Sequence, residues 1–322
     1  MKVCVMLTCF NRKDKTLNCI KSLISGNKCQ VDFIVVDDGS TDGTGAALED
    51  MAKELYERDS EHSSIEVITT SGGLFYSGGM RRAMEAAKAR YNSGVRNSTT
   101  RNDAYQPETG DHDIEKENVQ EPDFYILAND DVEFDRGVLD GLMHARTVNE
   151  HKENDLTGDL TPHGSQTVIV GAMRDDSGKC SYGGIKYYSG IHYKQIGPDA
   201  ADRGCDTFNA NFVAVPKEIF KTVPVIDPIY VHSLGDFDYG LQIKKAGYRI
   251  EVTDHFVGTC NNNLLTGTWN DRSLSRIERI KRKESVKGAP AKQWFHFLKK
   301  NFGIGYACVY SVTPYLRILL GK

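Results

Sequence analysis

The chain has 322 residues, of which 39% are hydrophobic and 26% are charged. These values are typical of a globular protein and exclude collagen-like, disordered and disulfide-scaffold proteins. A prior of about 150 residues per domain predicts two domains, or one large domain with an appendage. The net charge of −4 is unevenly distributed, because residues 271–322 carry a net charge of +9 and the rest of the chain carries −13. This separation of an acidic body from a basic tail indicates that the tail binds a partner.

The eight cysteines are scattered and include no Cys-x-x-Cys pair. This spacing disfavours a zinc ribbon or a thioredoxin-like site and suits a reducing compartment. The N-terminus lacks the pattern of a signal peptide, and no run approaches the roughly 20 apolar residues that span a bilayer. We therefore expect a cytoplasmic protein.

The N-terminal half alternates short apolar runs with helical patterns. Strands are predicted over 2–8, 31–36, 65–69 and 123–128, and helices over 14–24, 46–55 and 79–91. This alternation predicts an α/β fold with a Rossmann-like, mostly parallel sheet and helices on both faces.

The polar stretch over 92–122 has few apolar residues, which predicts a mobile surface insertion. Strands become shorter after about residue 167, and the clearest later helix covers 235–247. The segment 271–322 is predicted to form a basic helical tail.

Polar clusters follow the first two predicted strands, at 8–12 (TCFNR) and 37–42 (DDGSTD). Ligands of parallel sheets bind beyond the carboxyl ends of the strands. A carboxylate there can accept a hydrogen bond from a nucleobase or a ribose hydroxyl. The alternative is that DDGSTD supplies only turn residues and a helix cap.

Asn129, Asp130 and Asp131 directly follow the fourth strand. Adjacent carboxylates are costly unless a cation or hydrogen bonds offset their repulsion, and hard oxygen ligands suit Mg²⁺ or Mn²⁺. A helix N-cap is the alternative function for this cluster.

Two further segments are candidates for the site. The glycine-rich stretch over 72–79 is suited to a close approach between backbone and ligand, although it lacks the dinucleotide-binding pattern. Asp236 and Asp238 lie at the start of a predicted helix and face different directions. One of them is expected to face the cleft as a proton acceptor while the other caps or braces the helix.

Taken together, these segments resemble the family 2 glycosyltransferases, enzymes of the GT-A fold. The resemblance covers residues 1 to about 260 and is carried by five motifs: MLTCFNR, VVDDGSTDGT, SGGLFYSGGMRRAM, LANDDVEF and GDFDYGLQIKKAGYRI. It implies a catalytic domain over 1–270, with a nucleotide-binding half over 1–135 and an acceptor-binding half over 136–270.

The resemblance also implies roles for individual residues. Thr8 and Asp38 would contact the nucleotide base and Asp130 the ribose. Asn11, Arg12 and Gly79 are also expected to bind the nucleotide-sugar donor.

Metal and catalytic roles are carried over in the same way. Asp131 would be the main ligand of Mn²⁺ or Mg²⁺, and His255 is a candidate further ligand. Asp236 would be the catalytic base. Asn129 replaces the first Asp of the family's Asp-x-Asp motif, and Gly235 replaces the Glu before the base. Gln242 replaces a frequent Arg of the same helix, and these departures leave Asp238 as the alternative base.

The activity implied is metal-dependent, inverting transfer of a sugar from a nucleoside-diphosphate sugar to a hydroxyl of a glycan or lipid-linked acceptor, in polysaccharide biosynthesis. The alternatives are a sugar-phosphate nucleotidyltransferase and a non-catalytic protein that binds a nucleotide sugar or a glycan. Nucleic-acid binding is disfavoured, because the net positive charge is confined to the tail and the body is acidic.

The tail contains an apolar helical stripe flanked by lysines, formed by Trp294, Phe295, Phe297, Leu298 and Phe302. This pattern favours a helix in the interface of an anionic membrane, which would place the protein peripherally on the cytoplasmic face. Packing of the stripe on the catalytic domain and a dimer contact are the alternatives.

Overall fold

The computed structural model of the protein describes residues 1–59, 63–93, 101–102, 120–142 and 167–321. Most of the predicted insertion over 92–122 lies outside these residues, so its mobility stays a prediction.

The N-terminal half alternates strands and helices, as the apolar pattern predicts. Its elements are β1 (Lys2–Cys9), α1 (Lys13–Ile24), β2 (Gln30–Asp37), α2 (Thr44–Asp59), β3 (Ser63–Thr69), α3 (Phe75–Ser93), β4 (Arg101–Asn102), β5 (Phe124–Ala128) and β6 (Glu133–Phe134). Each predicted strand and helix of this half is confirmed, with boundaries shifted by a few residues.

The second half is richer in short strands. Its elements are β7 (Thr167–Arg174), β8 (Cys180–Tyr182), β9 (Gly184–Ser189), β10 (His192–Ile196), β11 (Thr207–Phe208), β12 (Phe212–Pro216), α4 (Lys217–Thr222), α5 (Gly235–Lys245) and β13 (Arg249–Thr259). The helical tail follows as α6 (Arg276–Glu284), a 3₁₀ turn (Val286–Gly288), α7 (Ala291–Phe302), α8 (Ile304–Tyr310) and α9 (Thr313–Leu319).

One large sheet has the strand order β4-β3-β2-β1-β5-β12-β7-β13-β6, with β8 paired to β7. Neighbours from β4 to β5 are parallel, whereas β12 is antiparallel to both β5 and β7. A separate small sheet has the order β10-β9-β11. The predicted α/β class is confirmed. The division at residue 135 stays a prediction, and β12 joins the two halves through one sheet.

Strand alternation sends side chains of the sheet into two cores. In β1, Cys4 and Met6 pack on one face together with Met80 and Met84 of α3. Residues Val3, Val5 and Leu7 pack on the other face, together with Ile20 and Leu23 of α1. Helices therefore cover both faces, as parallel strands require.

The tail packs on the α/β fold through α7. Phe297 and Leu298 are buried, and Trp294 stacks on Phe297 with ring centroids 5.7 Å apart. The predicted apolar stripe thus faces the protein along most of its length, which is the packing alternative. No helix in the part of the chain that the structure describes is long and apolar enough to cross a membrane.

A buried ion pair fixes the start of the sheet. Lys2 Nζ lies 2.9 Å from Asp32 Oδ2, and both side chains are almost fully buried. Asp32 also accepts a hydrogen bond from the Tyr91 hydroxyl at 2.7 Å, and the Arg90 guanidinium lies 3.6 Å away. Burial raises the pKa of Asp32, but the charge of Arg90 and the hydrogen bonds outweigh burial and lower it.

Replacing this carboxylate should therefore be costly. We expect Asp32→Ala to lower the free energy of unfolding by about 3–5 kcal/mol, because it leaves Lys2 buried without its counter-ion. Urea denaturation followed by circular dichroism measures the change. Asp50→Ala is the control, since Asp50 pairs with Lys53 at the surface, and it should cost less than about 1 kcal/mol. Equal losses in the two variants would contradict the prediction.

Candidate active site

The polar clusters meet at one edge of the sheet because β1 and β2 pair in register up to their ends. Cys9, the last residue of β1, lies beside Asp37, the last residue of β2. Backbone hydrogen bonds extend this register, from Asp38 N to Cys9 O and from Thr70 N to Asp37 O, each at 2.9 Å. The strand ends therefore bring the first two predicted clusters and the glycine-rich segment together.

Asp38 is buried and organises the glycine-rich turn. Its carboxylate accepts hydrogen bonds from Thr70 Oγ1 at 2.9 Å, Leu74 N at 3.0 Å and Phe75 N at 2.8 Å. Gly72 and Gly73 lie inside this turn with φ of +93°, which favours glycine. The contact of Asp38 with a nucleotide base stays a prediction.

Gly79 sets the distance between α3 and the end of β1. A Cβ atom at Gly79 would overlap the side chain of Thr8, which is buried. Glycine is therefore required for helix packing at this position, and the packing holds Thr8 at the edge of the site.

Asn11 links the first two clusters. Its amide N donates to Ser40 Oγ at 2.9 Å, and its side-chain Oδ1 accepts from Thr41 N at 2.7 Å. Asn11 has a left-handed backbone with φ of +50°. The loops that follow β1 and β2 are thus joined as one unit.

The acidic pair after β5 shares one guanidinium. Arg12 Nη1 donates to Asp130 Oδ1 at 3.0 Å and to Asp131 Oδ2 at 2.9 Å. Burial raises the pKa of Asp130 to about 6, against the opposing effect of Arg12. Arg12 therefore offsets the repulsion expected between adjacent carboxylates. Through it, three residues predicted to bind the donor or the metal, Arg12, Asp130 and Asp131, are in contact.

The thiol of Cys260, and not the imidazole of His255, contacts Asp131. Cys260 Sγ donates to Asp131 Oδ1 at 3.9 Å. His255 is exposed, and its Nδ1 lies 2.7 Å from Asp254 Oδ1. Among the described residues, no group of three or more His, Cys, Asp or Glu could hold a metal ion, so the structure does not bring His255 to the acidic pair. Its role as a ligand stays a prediction.

Asp236 and Asp238 have different surroundings in the first turn of α5. Within the described part of the chain, Asp236 accepts only backbone hydrogen bonds, from Ala210 N at 3.3 Å and its neighbour Phe237 N at 2.9 Å. Burial raises its pKa to about 6. Asp238 is fully buried and accepts from three side chains, two of them in α7. This geometry favours Asp236 as the proton acceptor and Asp238 as the bracing residue.

Steric constraints explain why a glycine precedes Asp236. A Cβ atom at Gly235 would lie 2.5 Å from Ser77 Oγ and 2.9 Å from Ile226, so no side chain fits there. The residue before it, Leu234, has φ of +72°. A bulky residue in this conformation is strained, and such strain is concentrated at functional sites.

Residues 210 and 211 connect the base candidate to the acidic cluster. Ala210 N binds the Asp236 carboxylate, and the next residue, Asn211, accepts a hydrogen bond from Asn129 Nδ2. Asn129 directly precedes Asp130. The two predicted centres therefore belong to one site.

Several buried polar atoms around this site have no hydrogen-bond partner in the described part of the chain. They are Tyr76 Oη, His232 Nδ1, Asn129 Oδ1 and Asn211 Nδ2. Burial, together with the charges of Lys287 and Arg12, lowers the pKa of His232 to about 4, so its imidazole is neutral. Buried polar groups are normally paired, so these four atoms are candidates for hydrogen bonds with a ligand.

Sequence reasoning missed His232, Asn211 and Cys260 as members of this site. Each is a single residue in a loop or at a strand end, without a spacing pattern around it. Only the fold brings them to the clusters found from the sequence.

The sequence model of glycosyl transferase family 2 matches residues 4–92 of this chain. No protein with a curated description matches the sequence.

Two solved structures are among those similar to this chain. One is S. aureus TarS 1–349 in complex with UDP, with 12% identity, a TM-score of 0.49, and coverage of 94% of this chain and 72% of that one. The other is the mannosyltransferase PcManGT from Pyrobaculum calidifontis with GDP-Man and Mn²⁺, with 12% identity, a TM-score of 0.49, and coverage of 99% and 72%. At this level of similarity, neither structure identifies a ligand of this chain.

The matched segment contains β1, β2, β3 and α3, together with Thr8, Arg12, Asp38 and Gly79. Over this segment, the chain is similar to glycosyl transferase family 2.

Proposed function

We propose that the protein transfers a sugar, with inversion, from a nucleoside-diphosphate sugar to a hydroxyl of a glycan or lipid-linked acceptor in polysaccharide biosynthesis. The observation that carries this proposal is the connection through residues 210–211 between Asp236 and the acidic cluster. Hydrogen bonds thus link the proposed proton acceptor to a charged edge suited to a diphosphate, and residues 4–92 match the model of glycosyl transferase family 2.

The donor would bind across the ends of β1, β2 and β5. Thr8 and Asp38 would contact the base, Asp130 would contact the ribose, and Asn11 and Gly79 would shape the surface. Arg12 has further N–H groups besides those of Nη1, which donate to Asp130 and Asp131. A planar guanidinium suits phosphate oxygens. Its position between Asp130 and Asp131 places these donors at the edge where the diphosphate is expected.

The chemistry of the donor atoms fits a divalent cation. Carboxylate oxygens of Asp131 and the unpaired amide oxygen of Asn129 are hard ligands, which suit Mg²⁺ or Mn²⁺. The protein offers few ligands, so phosphate oxygens of the donor would complete the coordination. A bound cation would neutralise charge on the leaving diphosphate.

Asp236 would take the proton of the acceptor hydroxyl as its oxygen attacks the anomeric carbon. With a pKa of about 6, this carboxylate is ionised at pH 7 and is a better base than an ordinary aspartate. Attack from the face opposite the leaving group inverts the configuration, as in inverting glycoside hydrolysis.

Nucleotide binding is the first experiment. Calorimetric titration with UDP, dTDP, GDP and CMP, each with and without Mn²⁺, should reveal one nucleoside diphosphate whose affinity depends on the metal. Asp131→Ala should abolish the metal dependence because it removes the main carboxylate ligand, whereas Asp50→Ala on α2 should preserve it.

The outcome separates the proposal from its alternatives. Absence of binding to every nucleotide by the folded wild-type protein would contradict the proposal. A marked preference for a nucleoside triphosphate would favour the nucleotidyltransferase alternative.

The second prediction concerns the base. Asp236→Asn should lower the transfer rate by about 10²–10⁴-fold, because it removes the proton acceptor, and should leave nucleotide affinity unchanged. The wild-type rate should fall about tenfold per pH unit below pH 6, since only the ionised carboxylate accepts a proton. An active Asp236→Asn variant together with an inactive, folded Asp238→Asn variant would assign the base to Asp238 instead.

The raised pKa also has a consequence for stability. A carboxyl group whose pKa is higher in the folded state contributes stability below its unfolded pKa of about 4, and this contribution is lost as the pH rises through about 6. The non-ionisable Asp236→Asn variant should therefore melt at a higher temperature than the wild type at pH 7.

A membrane contact at the cytoplasmic face would bring the enzyme to a lipid-linked acceptor. Since the stripe of α7 faces the protein, the contact is assigned to exposed apolar residues of α8, α9 and their flanks: Ile304, Val309, Val312, Leu316, Leu319 and Leu320. The net charge of +9 in the tail supports attraction to anionic lipid.

Vesicle partitioning tests this contact. The wild-type protein should bind phosphatidylglycerol vesicles in a salt-sensitive way, and Leu316→Ser with Leu319→Ser should weaken binding at least about tenfold by removing apolar burial. Tyr56→Ser, at an exposed site on α2, should bind as the wild type does. Identical partitioning of all three proteins would contradict the membrane contact, and concentration-dependent self-association lost in the double variant would favour a dimer contact.

A further inference from the structure

The buried carboxylate of Asp238 is held mainly by the C-terminal tail. It accepts hydrogen bonds from Lys300 Nζ at 2.7 Å, Asn301 Nδ2 at 2.7 Å and Gln242 Nε2 at 2.9 Å. Its side chain has no solvent exposure. Lys300 and Asn301 both belong to the last turn of α7, so the tail supplies two of these three donors.

Lys300 is the cation in direct contact with Asp238, and Lys245 adds a more distant positive charge. Gln242, one helical turn after Asp238 in α5, offers only a neutral amide. A buried carboxylate without a cationic partner is strongly unfavourable. Although burial lowers the pKa of Lys300, its hydrogen bonds to Asp238 and Asp227 outweigh burial and raise it, so this lysine is charged.

Other contacts hold the same end of α7 against α5. Lys245, at the end of α5, donates through Nζ to Lys300 O and to Asn301 Oδ1, each at 2.8 Å. Lys300 Nζ also lies 3.0 Å from Asp227 Oδ2, in the segment before α5. The tail therefore braces both ends of α5.

Among the residues that the structure describes, Asp236, two residues before Asp238, has no such side-chain partner. Its oxygens accept hydrogen bonds from the backbone N–H groups of Ala210 and Phe237, and the carbonyl of Phe237 accepts from Thr207 Oγ1 at 2.7 Å. The direction of the Asp236 carboxylate thus depends on the geometry of the first turn of α5. Asp238 is the residue through which the tail fixes that turn.

We propose that Lys300 is a positioning residue, which fixes the first turn of α5 through Asp238 and so orients Asp236 toward the acceptor hydroxyl. The inference rests on the proposed function, because it takes Asp236 as the base. It makes the C-terminal helices a part of the catalytic unit, in addition to any contact they make with a membrane.

The test compares Lys300→Met with Lys299→Met, a change of the exposed neighbouring lysine. The substrate is the nucleotide sugar whose base the calorimetry identifies, and the assay follows release of the nucleoside diphosphate. Lys300→Met should lower kcat by about 10- to 100-fold, with nucleotide affinity and KM for the donor unchanged, because misplacement of a catalytic group costs rate. Lys299→Met should match the wild type.

A second variant separates charge from packing. Gln242→Arg in the Lys300→Met background places a guanidinium one turn from Asp238, on the same face of α5. It should restore most of the lost kcat, which a loss of packing alone would not allow. Rescue supports the positioning role, and a failure of rescue combined with loss of nucleotide binding would overturn it in favour of a purely structural role.

Hydrogen exchange gives a readout that needs no activity. The amides of residues 236–239 should exchange faster in Lys300→Met than in the wild type, while those of β1 and β2 should not change. Unchanged kcat and unchanged exchange in Lys300→Met would overturn the inference. A wild-type protein that binds no nucleotide would contradict the proposed function, and the exchange result would still report whether Lys300 fixes the turn.

Discussion

The parallel register of β1 and β2 is the constraint on which the site depends. Because Cys9 ends beside Asp37, and the next backbone groups continue this pairing, two loops leave the sheet at the same height. Asn11 then joins these loops, and Arg12 reaches from the first loop to the acidic pair after β5. A slip of one residue in β1 would send the side chains of β1 to the opposite faces of the sheet and displace the loop that carries Asn11 and Arg12.

Unfavourable electrostatic interactions and strained backbone conformations occur at the candidate active site. The acidic pair shares one guanidinium, the pKa of Asp130 and of Asp236 is raised by burial, and the backbone is left-handed at Phe75 and Leu234. Elsewhere, the buried charges of Lys2 and Asp32 are paired with each other, and Asp32 also accepts a hydrogen bond from Tyr91. The unfavourable interactions at the site are those expected where a ligand supplies the missing partners.

The sequence predicted the fold well where one physical signal dominated. Apolar runs and helical periodicity located β1, α1, β2 and α5, and strand-end clusters located Asp38 and the acidic pair. Sequence alone could not show that Asp38 binds the 70–75 turn, or that the α7 stripe faces inward, because an amphipathic face suits a protein core and a membrane equally. His232 and Cys260 were missed since long-range contacts, not local spacing, bring them to the site.

The position of β12 between β5 and β7 has a consequence for synthesis of the chain. β5 pairs with β1 early, yet its other edge stays unpaired until residues 212–216 have been made. A ribosome adds about 5–20 residues per second, so this hydrophobic edge remains open for several seconds. An unpaired strand edge invites association with other chains. The nascent protein is thus most exposed to aggregation during translation of the segment between β5 and β12.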